Sequence, residues 1–238
     1  MKTKSCFKYS KDRPWHENFI FTLVAFIGMI FIPAFFLIIL NRFIHNETVC
    51  TIIADFLFIG ILYLLYYKDL NDEAKIYFKD FKNKFKHSFK IYLIGFFGMV
   101  FFNMIIVMFL KEISSNENQV REMLYNNVFT TMISISIIAP IMEELIFRKS
   151  LQPIIKDKWI YVIVCGLLFG GAHILTNILN NDFVLLDLVY ILPYAALGCS
   201  FAFMDYESKT TFSSIIIHAL HNTCTAILLL VIYFAGGK

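Results

Sequence analysis

The sequence predicts an all-α fold, a polytopic membrane helix bundle of about seven transmembrane helices (six to eight). Three observations predict it. Hydrophobic residues make up 58% of the chain and the mean hydropathy is +0.67, well above an ordinary soluble domain. Apolar runs rich in the 27 Phe are long enough to cross a hydrocarbon core about 30 Å thick. Basic residues gather in alternate connections between those runs, as in a chain that threads a bilayer.

Taken in order, spans are expected near 19–40, 51–67, 91–110, 124–147, 159–178, 183–204 and 212–234. The first follows Lys2, Lys4, Lys8, Lys11 and Arg13 and superficially resembles a signal peptide. Its apolar run of about 22 residues exceeds the roughly 7–15 of a signal core, and no small-residue cleavage pattern follows, so it reads as a retained anchor. The second is short and carries Asp55. Residues 68–90 then read as a basic loop, with Tyr77, Phe78, Phe81, Phe85 and Phe89 among its lysines. Such a stretch fits either a segment lying on an anionic leaflet or a loop that only orients the chain. The third span is plainly apolar and the fourth ends in charge. The fifth holds His173, and the sixth carries Asp187 and Pro193, which suit a broken helix. The seventh holds His218 and Asn222.

With Arg148 set aside, sixteen Lys and Arg lie on the N-terminal side of this threading and four on the other, which predicts a multi-pass cell-membrane protein with a cytoplasmic N-terminus. The net charge of +3 then reflects topology, and the lipid bilayer rather than nucleic acid is the expected partner. The five cysteines never form a CxxC and imply neither a disulfide framework nor a zinc knuckle. Two regions are expected: N-terminal transmembrane helices with the 68–90 loop over 1–123, and a core over 124–238 that carries nearly all the chemistry.

The chemistry begins at EELIFR, residues 143–148. Charge in a membrane span is costly, so its default reading is functional. Glu144 and Arg148 are four apart on one helical face, acid before base, and are expected to pair. Glu143 is turned about 100° away and is expected to face a cavity, where a carboxylate can serve as a general base. Pro140 is positioned to kink the helix and free backbone groups. The bland alternative is a helix end at the headgroups with Arg148 snorkelling. His173 lies after Gly170 and Gly171, small residues that let a neighbouring helix approach. His218 and Asn222 share a face, bordered by His221, to which no role is given. Each of these is also a plausible interhelical hydrogen-bonding residue. At 1.5 Å per residue, Glu143, His218, Asn222 and His173 lie roughly 8, 9, 15 and 21 Å from the cytoplasmic ends of their spans, a depth at which they can meet.

The motifs Glu143-Glu144-x-x-x-Arg148, Phe169-x-x-x-His173 and His218-x-x-x-Asn222, in that order on separate helices, resemble the CAAX-protease and bacteriocin-processing (CPBP, or Abi) family of intramembrane endopeptidases. The resemblance covers about 124–232. It implies that Glu143 and His173 activate a water, that His218 and Asn222 stabilise the oxyanion, and that Glu144 and Arg148 brace the site. Lys149 departs from the family pattern, which has a small residue there, and is expected to face the cytoplasm. No cofactor is expected. A zinc ion, if one took part, would be held by Glu143, His173 and His218, but HExxH is absent and these residues come from separate helices. The expected substrate is a peptide or small membrane protein cut near the cytoplasmic face, in a bacterium to judge from the Lys/Asn/Ile/Phe-rich composition. Two other classes compete: a non-catalytic membrane scaffold for bacteriocin immunity or regulation of a membrane partner, and a proton-coupled transporter.

Overall fold

In the computed structural model, residues 8–175, 178 and 184–236 are described. They form an all-α bundle, with no strand among the described residues. Among the described residues eight helices follow one another: α1 (Trp15–Leu40), α2 (Glu47–Lys79), α3 (Phe81–Leu110), α4 (Ser115–Asn126), α5 (Val128–Lys149), α6 (Lys158–Ala172), α7 (Ile191–Ser208) and α8 (Phe212–Phe234). All but α4 and α6 are long and apolar enough to cross a membrane; α7 is lengthened by a 3-10 segment, Leu185–Tyr190. Apolar side chains such as Phe31, Phe97, Met104 and Phe109 stand exposed around the bundle, the surface that lipid covers.

Two spans differ from expectation. The fifth, α6, has 15 residues, about 22 Å, and ends at Ala172, so His173 caps a helix instead of lying inside one. Part of the expected 159–178 and the start of 183–204 fall outside the described residues. Residues 68–90 are not a loop: α2 and α3 run through them and break only at Asp80 (φ −128°, ψ 41°). Lys, Glu and Ala sustain a helix as well as apolar residues do, so charge ends the hydropathic run without ending the helix.

Polar groups fix the corners. Asn46 accepts from Val49 N–H to start α2, and Asp157 accepts from Trp159 and Ile160 to start α6. Tyr66 kinks α2 (φ −122°, ψ 17°), and the neighbouring Leu65 carbonyl is taken by the Arg13 guanidinium, which is buried rather than free in the cytoplasm. Thr22 of α1 donates to Ser150 O at 2.7 Å, tying the first helix to the end of α5.

Close packing of α6 on α7 depends on glycine. A Cβ on Gly166 would lie 2.3 Å from Cys199 Sγ, and one on Gly170 would lie 2.7 Å from Ile191 O. Gly171 has nothing within 4 Å, so only one member of the Gly170–Gly171 pair serves the approach.

Candidate active site

Helix α5 carries the two acids and is irregular on both sides of them. Ser134–Ile138 and Leu145–Lys149 have π-helical hydrogen bonding, as in Ala139 N–H to Ser134 O. In that register the Ile135 carbonyl would receive the N–H of residue 140, but Pro140 has none. Asn222 of α8 fills the vacancy, donating from Nδ2 to Ile135 O at 2.8 Å. Sequence and fold thus meet at one carbonyl.

Glu144 is fully buried and accepts from Arg148 Nη1 at 2.9 Å; the same oxygen lies 2.9 Å from His218 Nδ1. Arg148, also fully buried, donates to Gly198 O at 3.0 Å and lies 4.6 Å from the centre of the Phe169 ring. These contacts join α5, α6 and α7 through one guanidinium, and α8 through His218 on the Glu144 carboxylate. A headgroup-snorkelling Arg148 is therefore ruled out.

Glu143 points elsewhere. Its Oε2 has no hydrogen-bond partner among the described residues and lies 3.8 Å from His218 Nε2. His173 Nδ1 lies 2.8 Å from Phe169 O and so donates to that carbonyl, which leaves Nε2 as the acceptor. His218 stacks on Phe201, centroids 4.7 Å apart. Glu143, His173, His218 and Asn222 all line one cavity of about 310 Å³. The greater depth expected for His173 does not keep it out.

One contributor was missed by sequence reasoning. Tyr194 stacks on His173 with ring centres 4.1 Å apart and planes 19° from parallel. Its hydroxyl is held by Ser114 Oγ at 2.9 Å and Asn116 Nδ2 at 3.3 Å, from the start of α4. Tyr194 follows Pro193 in an apolar run and carries no motif, so only cross-helix geometry reveals it. His221, left without a role, lies 3.0 Å from the Tyr92 hydroxyl and also borders the cavity.

Lys149 is a correction. It is buried, 1% exposed, with Nζ 2.5 Å from Glu73 Oε1 and 3.9 Å from Asp69 Oδ1. The π turn at Leu145–Lys149 and the charged C-terminal part of α2 bring it against carboxylates instead of headgroups.

As for a metal, no group of three or more His, Cys, Asp or Glu among the described residues is arranged to hold one. Glu143, His173 and His218 do not form such a cluster, and no step below is routed through a metal.

Residues 125–224 match the family model described as type II CAAX prenyl endopeptidase Rce1-like, a stretch that contains all seven motif residues. Over 96 residues the chain is 30% identical to "Putative membrane peptidase YdiL" of Bacillus subtilis (strain 168), covering 39% of this chain and about a third (34%) of that relative. No solved structure matches.

Proposed function

We propose that this chain, whose residues 125–224 match the Rce1-like endopeptidase family model, is a CPBP-type membrane endopeptidase that hydrolyses a peptide bond of a membrane-associated peptide or small membrane protein. The observation that carries the reading is the contrast between the two acids. Glu144 is fully buried and holds Arg148 and His218 on one oxygen, whereas Glu143 accepts no hydrogen bond among the described residues and lines a cavity with His173, His218 and Asn222.

In this mechanism a water is held between Glu143 and the free Nε2 of His173. Glu143 takes its proton as the oxygen attacks the scissile carbonyl, and later returns that proton to the leaving amine. His218 is oriented by the contact of its Nδ1 with Glu144 and presents Nε2 to the developing oxyanion. Asn222 spends one N–H on Ile135 O and has a second for the same oxyanion. Such donors are often worth a few kcal/mol each. Glu143 lies six residues from the C-terminal end of α5, so the cut bond would sit roughly 9 Å inside that end of the helix. No cofactor is required by these steps.

The test compares small peptides and membrane-protein termini in cells with wild type, Glu143→Gln or no protein. A fragment that appears only with wild type supports hydrolysis and identifies the substrate. Identical profiles for wild type and Glu143→Gln, both differing from the deletion, would instead support the scaffold reading.

A further inference from the structure

The motif residues all lie between 143 and 222, yet the cavity they face is completed by Met99 and Asn103 of α3 and by Asn116, Glu117 and Val120 of α4. None of these belongs to the stretch that matches the family. Asn103 sits inside a 30-residue helix of strongly apolar character, where a polar side chain is costly unless it is hydrogen-bonded.

Three amide side chains line the cavity: Asn103, Asn116 and Asn222. Asn116 donates to the Tyr194 hydroxyl and Asn222 to Ile135 O. Asn103 alone of the three has no partner among the described residues.

Its position is fixed by packing. A Cβ on Gly95 would lie 2.3 Å from Ser200 Oγ and 3.1 Å from Ala196 O, and one on Gly98 would lie 3.3 Å from Ala196 Cβ. Helix α3 is therefore pressed against α7 at that level, and Met99 and Asn103, four residues apart, share the face above it. This packing sets the level and the face of α3 at which Asn103 meets the cavity.

A peptide bond open to attack by water must leave helical geometry. Unwinding frees backbone N–H and C=O groups, each costly to leave unpaired in a cavity with apolar walls. A carboxamide carries one acceptor and a pair of donors and so matches both groups of an extended peptide. We propose that Asn103 is a substrate-binding residue whose carboxamide hydrogen-bonds the backbone of the unwound peptide segment beside the bond to be cut. The inference rests on the endopeptidase reading. It assigns the N-terminal helices a part in holding substrate, and recognition at this point is of backbone, independent of the substrate's side chain.

The experiment uses the full chain in proteoliposomes with a quenched-fluorescence library of apolar decapeptides. The best-cleaved peptide is then remade with each backbone N–H replaced in turn by an ester oxygen. Asn103→Leu should raise KM about tenfold, the effect of one lost hydrogen bond, with a smaller change in kcat and no loss of Tm. In wild type an ester at one position should cost a similar factor, and Asn103→Leu should lose nothing further at that position. That loss of coupling is a readout that a merely structural asparagine would not give, and Asn103→Ala reports it as well if the leucine variant fails to insert. Phe101→Leu, on the lipid-facing side of α3, should match wild type. A wild-type KM in Asn103→Leu, or ester effects identical in both proteins, overturns the inference and leaves the endopeptidase reading intact. A wild type that cleaves no peptide beyond the Glu143→Gln background removes the endopeptidase reading and this inference with it.

Discussion

Glu143 and Glu144 are neighbours in sequence with opposite surroundings, and their isosteric substitutions should behave oppositely. Glu144→Gln leaves the Arg148 guanidinium buried without a counter-charge, among neutral acceptors such as Gly198 O and the rings of Phe169 and Phe201. Removing one partner of a buried pair costs about 3–5 kcal/mol, so this variant should melt markedly below wild type in detergent. Glu143→Gln removes a carboxylate with one unpartnered oxygen and should melt at or slightly above wild type. The reverse order of melting temperatures would mean that the roles of the two acids are exchanged. The ion pair was legible from the four-residue spacing. The contact of Glu144 with His218 was not, because local periodicity carries no information on which residues of different helices face one another.

At the scale of the element, the apolar runs located the helices, but charge misplaced their ends. The 68–90 segment was misread since hydropathy reports where lipid stops, whereas a helix continues as long as its residues favour it and nothing interrupts its hydrogen bonds. Pro140 was recognisable as a source of freed backbone groups; that the Ile135 carbonyl would be freed and claimed by Asn222 required the π register, which no spacing rule announces. The glycines of α6 were likewise only half legible. Gly166→Ala places a Cβ against Cys199 Sγ and within 3.0 Å of Ala195 O, a backbone atom that cannot move aside alone. It should destabilise by about 1–3 kcal/mol, typical of overpacking. Gly171→Ala meets open space and should be neutral or stabilising by up to about 1 kcal/mol. Denaturant unfolding of the two variants side by side checks this; equal effects would mean that α6 and α7 do not approach through Gly166.

For the molecule as a whole, the question is what holds the N-terminal helices to the part of the chain that carries the motifs. Glu73 of α2 answers it at one end: Oε1 receives Lys149 of α5, and Oε2 accepts from Thr211 N–H at the start of α8. Ser10 adds its backbone and hydroxyl to Asp69, one turn away, so the chain's first described turn joins the same cluster. From sequence, Lys149 seemed one more positive charge for the inner face, because a lysine after a helix-end motif is indistinguishable from an orienting lysine until its carboxylate partner, 76 residues away, is placed beside it. The burial makes the two readings separable. Lys149→Met should strand the Glu73 carboxylate with only the Thr211 N–H for compensation and cost on the order of 3 kcal/mol or more. The pair Lys149→Met with Glu73→Met removes both charges and should recover most of that loss, since well-packed apolar side chains commonly replace a buried ion pair without penalty. A double-mutant cycle on thermal unfolding measures the coupling between the two residues directly. Additive effects, or a Lys149→Met variant as stable as wild type, would return Lys149 to the headgroups and leave the two halves joined by other contacts, such as that of Thr22 with Ser150 O.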